Sequence, residues 1–363
     1  MKRLVLVGPG HAHLHVLEAL ARTPLPEVET VLVSLGPRQL YSGMLPGWIA
    51  GDYALEQLSF ELARLARAAK ARLEPSGAAA LRADRRELQL GDGQVLGYDV
   101  ASFDIGSLPA GPELPGVTEH ARVLKPLDRA LTVLPEATRQ SGPLLVVGGG
   151  AAGVELALCL QARTGRPTVL IERGEEVPRG APRSAQRLIR RLLARRGIKL
   201  RTKAALASLS AGSARLESGE SLPFTTCVWA TGARAPELFA KSGAAVDAQG
   251  YLAVEDTLRS PSHPELFATG DCAGFISGQR VPKAGVYAVR QGPVLSANLR
   301  AALTGGGSLR SYHAQSGFLS LMNAGDGTAV GAWKGLAFHG RAVWRLKDAI
   351  DRRFMARFQR LAG

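Results

Sequence analysis

Apolar and polar positions fall into blocks that occur twice along the chain. The first block runs Arg3-Leu-Val-Leu-Val7, an apolar strand, into Gly8-Pro-Gly10, and then a helical pattern through Leu14, Leu17 and Leu20. A second strand is predicted over Thr30 to Val33. The same order returns from Leu144: a strand to Val147, the turn Gly148-Gly-Gly150, a helix over Val154 to Leu160, and a strand over Thr168 to Glu172. Strand, glycine turn, helix, strand is the opening of a parallel doubly wound sheet. Two such openings in one chain carry more information than either alone.

The two copies also close alike. Tyr98 to Ser107 and Cys227 to Arg234 are apolar strands that end in a small-residue turn, with Gly106 in the first and Gly232 in the second. Before each stands a hairpin pattern with a polar glycine turn, Gly91-Asp-Gly93 and Glu217-Ser-Gly219. Pro109 to Gly116 reads as the exit from the first copy. Further on come Leu266 to Asp271, a long helical stretch from Gly285 to Leu303, and a glycine linker at Gly305 to Gly307. Gly317 to Asn323 and Thr328 to Trp333 flank Ala324-Gly-Asp-Gly327, a hairpin signal, and a basic helix is predicted from Arg341 to Leu361.

The chain has 363 residues, enough for two to three domains. With 46% hydrophobic and 21% charged residues, disorder is excluded as the main state. The net charge of +14, concentrated in stretches such as Arg187 to Arg196 and Arg352 to Arg360, suits anionic partners: dinucleotides, nucleic acid or an acidic membrane surface. Cys159, Cys227 and Cys272 are too scattered for a disulfide framework or a CxxC dithiol, which fits a reducing, cytoplasmic setting. The basic start reads as a strand rather than a signal peptide. Glu155 and the glycine triplet argue against a membrane span over Pro143 to Leu160.

Glycines at a strand-to-helix turn let the backbone approach a pyrophosphate, and the helix N-terminus supplies N–H donors and positive potential. Gly148, Gly150 and Gly153 complete GxGxxG between a strand and a helix. Glu172, at the end of the next strand, stands where an acid binds the ribose hydroxyls of NAD, which leans the reading toward NADH. Arg173 beside it leaves NADPH open. The first turn keeps Gly8 and Gly10 but has His13 at the third glycine position and Ser34 where an acid is expected. His11 and His15, four apart on a helix, could supply half a metal site, but no third ligand is apparent and no metal is expected.

Two dinucleotide folds together with Ala268-Thr-Gly270-Asp271 resemble the pyridine nucleotide-disulfide oxidoreductase superfamily. The missing cysteine pair points away from its glutathione-reductase-like members. Tyr41 to Pro46, Gly153-Val-Glu155, Pro282-Lys-Ala-Gly285 and Ala288-Val-Arg-Gln291-Gly292 look more like type II NADH dehydrogenases and apoptosis-inducing-factor-like quinone reductases. Gly10 to His15, Tyr41 to Gly51 and Asp351 to Met355 resemble most a group of NADH-dehydrogenase-like proteins often fused in front of selenide, water dikinase. This chain has no kinase domain.

The resemblance implies an α/β fold of two Rossmann-like domains, the second inserted in the first. Residues 1–125 and 256–310 would bind FAD, 126–255 would bind NAD(P)H, and 311–363 would form a C-terminal hairpin and basic amphipathic helix. FAD would meet Gly8, Gly10, His11, Ser34, Tyr41, Pro46, Gly106, Asp271 (on the ribityl chain) and Gln291. NAD(P)H would meet Gly148, Gly150, Gly153, Glu172 and Gly232. Glu155 would face the cleft between the domains, although a carboxylate at a helix start also needs no further role. Lys283 would stabilise negative charge at the flavin pyrimidine ring, or is a solvated loop lysine.

The implied activity carries electrons from NADH through flavin to a second acceptor, a quinone in the leading reading. Sulfide or selenide chemistry, a soluble acceptor linked to selenium metabolism, and a non-catalytic nucleotide-sensing or nucleic-acid-binding protein are the alternatives. Aromatic residues, at 6%, do not alternate with basic ones as a stacking platform requires, so no nucleic acid is expected. Leu346, Ile350, Phe354, Phe358 and Leu361 form a helical stripe flanked by Lys347, Arg352, Arg353, Arg357 and Arg360. Such a helix suits reversible contact with an acidic membrane surface, such as the cytoplasmic face of the inner membrane. Equally it suits docking on the body of the protein or on a second subunit of a homodimer.

Overall fold

The computed structural model describes residues 1–362. Strands β1 (Lys2–Val7), β2 (Val28–Val33), β3 (Ala71–Glu74) and β4 (Val100–Phe103) pair in parallel, and helix α1 (His11–Arg22) crosses from β1 to β2. A parallel strand is covered on both faces and therefore reads as an unbroken apolar run. Leu4 and Leu6 of β1 pack on the α1 side of the sheet, while Val5 and Val7 pack on the opposite side, with Leu88 and Leu90 of the first hairpin. The short helix α2 (Leu45–Ala50) follows the second strand.

The second copy repeats this plan. Strands β5 (Ala121–Val123), β6 (Leu144–Val147), β7 (Thr168–Ile171), β8 (Lys199–Arg201) and β9 (Thr226–Trp229) make a parallel sheet, with helix α3 (Ala151–Thr164) as its first crossover. The first sheet then gains its fifth strand, β10 (Leu266–Ala268), alongside β4. The spatial orders β10-β4-β1-β2-β3 and β5-β9-β6-β7-β8 are the same arrangement. The outer strand arrives last in the first sheet and first in the second, so the second fold is inserted in the first.

Both expected domain boundaries move. Ala121–Val123 pairs with β9, so the second unit begins before residue 126. Phe239, Ala244, Leu252 and Val254 pack with Val5, Val7 and Phe103, so the chain is back in the first unit well before residue 256. The crossing lies where Leu108–Pro109 pairs antiparallel with Ala233–Arg234. The outward crossing adjoins the Pro109 to Gly116 exit that the sequence marked, whereas the return near Ala233–Arg234 carries no comparable linker signal.

Helix α4 (Gly285–Thr304) lies against α1; a Cβ on Gly292 would stand 2.7 Å from that of His15, so glycine is needed at this crossing. The predicted C-terminal hairpin is β11 (Ser320–Asn323) with β12 (Ala329–Trp333), joined by an unanticipated third strand, β13 (Leu336–Gly340). Helix α5 (Arg341–Ala362) follows. Its apolar stripe does not act as one face. Phe358 is buried with Val343 and Met355, whereas Leu346 and Ile350 remain 44% and 46% exposed. The buried face also carries Lys347 and Asp351, and Arg357 pairs with Glu18 of α1. No helix among the described residues is long and apolar enough to cross a membrane.

Candidate active site

Carboxyl ends of parallel strands leave an open crevice where the chain turns into its helices. In the first sheet that crevice is a cavity of about 470 Å³, lined by Gly8, Gly10, His11, Ser34, Gly106 and Asp271 among the expected residues. Gly8 has a φ of 88°, and its N–H donates to Val33 O at 2.8 Å. His13 fills the third turn position with two hydrogen bonds: Nδ1 lies 2.6 Å from Gly8 O and Nε2 lies 2.8 Å from Ser102 Oγ. The missing glycine is thus replaced by a ring that ties helix to strand. Burial lowers both His11 and His13 to about 4, which keeps them neutral. No group of three metal-ligating side chains occurs among the described residues.

Two further residues shape this cavity without having been anticipated. Asp104, just beyond β4, accepts the N–H groups of Ala12 and His13 at 2.8 and 3.2 Å, and burial raises it to about 7. Lys125 Nζ donates to Ser107 Oγ at 2.8 Å and lies 3.7 Å from Asp271. The only sequence sign of Asp104 was a charge at the end of an apolar strand; Lys125 gave none.

Around the second turn, Gly148 N–H donates to Ile171 O at 2.9 Å, and a Cβ on Gly153 would fall 1.8 Å from Gly148 O. Glu172, almost wholly buried, accepts Gly149 N–H at 2.7 Å and Gly174 N–H at 2.9 Å. Each carboxylate oxygen retains acceptor capacity after one such bond. A Cβ on Gly150 would meet nothing within 4 Å, leaving this end of α3 open, and Gly232 faces Arg179.

Between the two turns lies a buried polar cluster. Glu155 Oε1 accepts Asn323 N–H at 2.7 Å. Lys347 Nζ donates to Asp351 Oδ2 at 2.6 Å and to Gly43 O at 2.7 Å, and Tyr41 Oη donates to Asp351 Oδ1 at 3.1 Å. The Tyr41 ring continues to His11, with centroids 5.6 Å apart. Burial raises Glu155 to about 7, with the charge of Lys347 opposing the shift. Burial works against the Lys347 charge, but Glu155 and Asp351 hold its affinity for a proton above the ordinary lysine value. Two carboxyls and one ammonium leave this cluster able to hold a proton near neutrality.

Tyr41, Pro46, Gln291 and Lys283 are not in the wall of the first cavity. Pro46 is buried at the start of α2. Gln291 supports Gly270 from beneath, its Oε1 accepting the Gly270 N–H at 2.7 Å. Lys283 Nζ donates to Ala273 O at 2.6 Å and lies 3.7 Å from the Tyr251 ring centroid. It is therefore partnered rather than a solvated loop lysine, and burial lowers its pKa.

A family model described as pyridine nucleotide-disulphide oxidoreductase matches residues 2–292. The chain belongs to this family. Pyridine nucleotide-disulphide oxidoreductases bind FAD and NAD(P)H, and this member is an FAD-dependent NAD(P)H oxidoreductase. Among its relatives is an NADH dehydrogenase-like protein of Mycobacterium tuberculosis, 29% identical over 75% of this chain and 73% of the relative. Demethylphylloquinone reductase NdbB of Synechocystis is 26% identical over 84% of this chain and 80% of its own. In fold, the sulfide:quinone oxidoreductase of Aquifex aeolicus superposes with a TM-score of 0.83 at 17% identity, covering 99% of this chain and 92% of that one. NDH2 of Plasmodium falciparum, in complex with NADH, gives 0.80 at 14% identity, covering 98% and 97%.

The first cavity suits FAD on its own terms. A Cβ on Gly10 would stand 2.2 Å from the Asp104 carboxyl carbon, so only glycine leaves the turn open. Thr269 Oγ1 and Gln291 Nε2 are buried beside Gly270-Asp271 with no partner among the described residues.

Proposed function

We propose that this oxidoreductase takes hydride from NADH and passes the electrons to a quinone. The observation that carries the reading is the buried Glu155, which keeps a proton near neutrality beside Lys347 and Asp351. Reduction of a quinone by NADH consumes one proton beyond the hydride, so a carboxyl poised at about 7 has a defined task as proton donor. A dithiol relay would instead need paired cysteines, and Cys159, Cys227 and Cys272 are separately buried. The demethylphylloquinone reductase relative and the NADH dehydrogenase-like relative support the same reading by name.

In this reading bound FAD supplies the hydride acceptor and the electron donor to the second substrate. Gly8, Gly10, His11, Ser34, Gly106 and Asp271 hold it, with Gln291 fixing Gly270-Asp271 from beneath. Gly148, Gly150, Gly153 and Gly232 hold the nicotinamide dinucleotide, and Glu172 accepts its adenosine ribose hydroxyls. Tyr41 and Pro46 support the cavity from outside its wall. Lys283 stabilises Ala273 and the loop after Asp271. Stopped-flow mixing of the purified yellow protein with NADH and NADPH, followed by quinone and disulfide acceptors, tests the whole. Faster flavin bleaching by NADH and turnover with quinones support it; efficient disulfide reduction with no quinone turnover overturns it.

A membrane quinone would require access to a bilayer. Trp333, Leu336, Phe338, Leu346 and Ile350 are exposed apolar side chains of β12, β13 and α5, between 38% and 68% accessible. Exposed Lys334, Arg341 and Arg345 lie among them in sequence and Arg353 just beyond. Apolar anchors with basic residues suit an acidic bilayer surface, each cation contributing about 1 kcal/mol. Co-sedimentation with anionic vesicles at low salt tests this surface. Binding that Leu336→Ser and Ile350→Ser together abolish supports it; indifference to vesicles removes it.

A further inference from the structure

The first turn has an acid just past its closing strand, where the second has an alanine. Asp104 N–H donates to Val7 O at 2.9 Å, as Ala230 N–H donates to Val147 O at 2.8 Å, so Asp104 and Ala230 occupy the same place after the closing strands. Asp104 is nevertheless buried among three glycines. A Cβ on Gly10 would stand 2.2 Å from its Cγ, one on Gly270 2.7 Å from its Oδ1, and one on Gly8 2.5 Å from its backbone oxygen. Its Oδ2 takes the Ala12 and His13 N–H groups, donors from the helix end that presents positive potential to a dinucleotide pyrophosphate in this type of turn. Asp104 also lines the cavity. A carboxylate and the pyrophosphate therefore draw on one positive helix end, and two like charges cannot share it without cost.

We propose that Asp104 makes FAD binding proton-coupled: the carboxyl becomes neutral as the pyrophosphate takes the N-terminus of α1, so the protein takes up a proton when it binds FAD and returns it when FAD leaves. This rests on the first turn being the FAD site. Burial already raises Asp104 to about 7, and the approaching phosphates raise it further. The facing groups leave it as the titrating one. His11 and His13 of α1 are lowered to about 4, and Cys272 after β10 is raised to about 12. Asp271 adds negative charge, offset by Lys125 at 3.7 Å, and Lys283 is directed to Ala273 O. With a neutral carboxyl required in the complex, affinity is flat below about pH 7 and falls about tenfold per unit above it.

Holoenzyme diluted to near its dissociation constant, read by the flavin fluorescence that appears on release, gives FAD affinity from about pH 6 to about pH 9. Wild type should show the slope, and Asp104→Asn should bind FAD with a flat profile. Competition by ADP should carry the slope and competition by adenosine should not, since adenosine brings no phosphates. Displacement of FAD by excess ADP should release no net proton, whereas displacement by excess adenosine at about pH 8 into weak buffer with an indicator dye should release one. This last measurement needs wild type alone, should Asp104→Asn not fold. A flat wild-type profile, an unaltered slope in Asp104→Asn, or no proton released to adenosine overturns the proposal. If Asp271→Ala and Ser34→Trp both leave FAD affinity intact, the first turn is not the FAD site and that reading falls first.

Discussion

At the first turn Gly8 N–H meets Val33 O at 2.8 Å, and at the second Gly148 N–H meets Ile171 O at 2.9 Å; the backbone plan is shared. The side chains around it are not. Where α3 presses Gly153 directly on the strand, α1 reaches it through the hydrogen-bonded His13 ring. The second turn draws its acid from the neighbouring strand, Glu172 on Gly149 N–H; the first has Ser34 there and takes Asp104 from the opposite side, onto Ala12 and His13 N–H. His15 and Glu155 hold matching positions too, yet His15 faces Arg357 and Glu18 whereas Glu155 faces Lys347. A turn's glycine spacing therefore specifies backbone shape, while the acids beside it decide how ligand charge is met.

The largest expected effect comes from Gly153→Ala, which drives a methyl into Gly148 O. Overpacking against a backbone oxygen, at the upper end of about 3 kcal/mol, should weaken NADH binding by more than about a hundredfold and leave flavin content near normal. Flavin absorbance and the NADH concentration dependence of bleaching check this; equal loss of flavin would mean that the two turns are not independent. Next, Glu155→Gln should slow quinone turnover by about a hundredfold, in the range for loss of a general acid. Because the raised Glu155 is protonated below about 7, wild-type turnover should decline as pH rises through that value, and the variant should lose the decline. His15→Gln, the matched change at the first turn, should leave the pH profile as it is.

His13→Ala should lower stability by about 2 kcal/mol, since Ser102 Oγ and Gly8 O lose their partner and a cavity opens. Denaturant unfolding of the holoenzyme measures it, and an unchanged midpoint would show the ring to be dispensable. The smallest effect belongs to the acid and serine that end the second strands. Glu172→Ala should narrow the preference for NADH over NADPH by about tenfold, about 1.4 kcal/mol. Ser34→Ala should shift FAD affinity by less than about 1 kcal/mol. A wild-type preference for NADPH would reverse the role of Glu172.

What the sequence made legible was local. Both glycine turns, their strands and the three predicted hairpin turns depend on a few consecutive residues, and they lie where the pattern puts them. Residues that act from a distance were not legible. Asp104 matters because β4 pairs beside β1, and Lys347 matters because α5 folds back over Gly43, 304 positions earlier. The stripe of α5 misled for a related reason. Its inward face contains a lysine and an aspartate, which periodicity scores as solvent-facing although each supplies the other's partner. Ala121–Val123 is too short for alternation to declare a strand, and only its pairing with Cys227 to Trp229 makes it one.

The place of β10 in the chain has a consequence for synthesis. By Trp229 the ribosome has delivered every strand of the second sheet, while the first still lacks the one that ends at Ala268. Domains fold as units during translation, so the inserted unit can close its sheet while its host is still open at an edge. The half of the molecule begun first is then finished second, and Asp271, three residues past that last strand, emerges with Gly285 and Ala288 of α4 as the last parts of its cavity. Ribosome-stalled chains ending near Glu265, with β9 clear of the exit tunnel and β10 not yet made, should already protect Leu144 to Trp229 from protease but leave Lys2 to Phe103 open to it; early protection of both would show that the edge strand is not what the first sheet waits for.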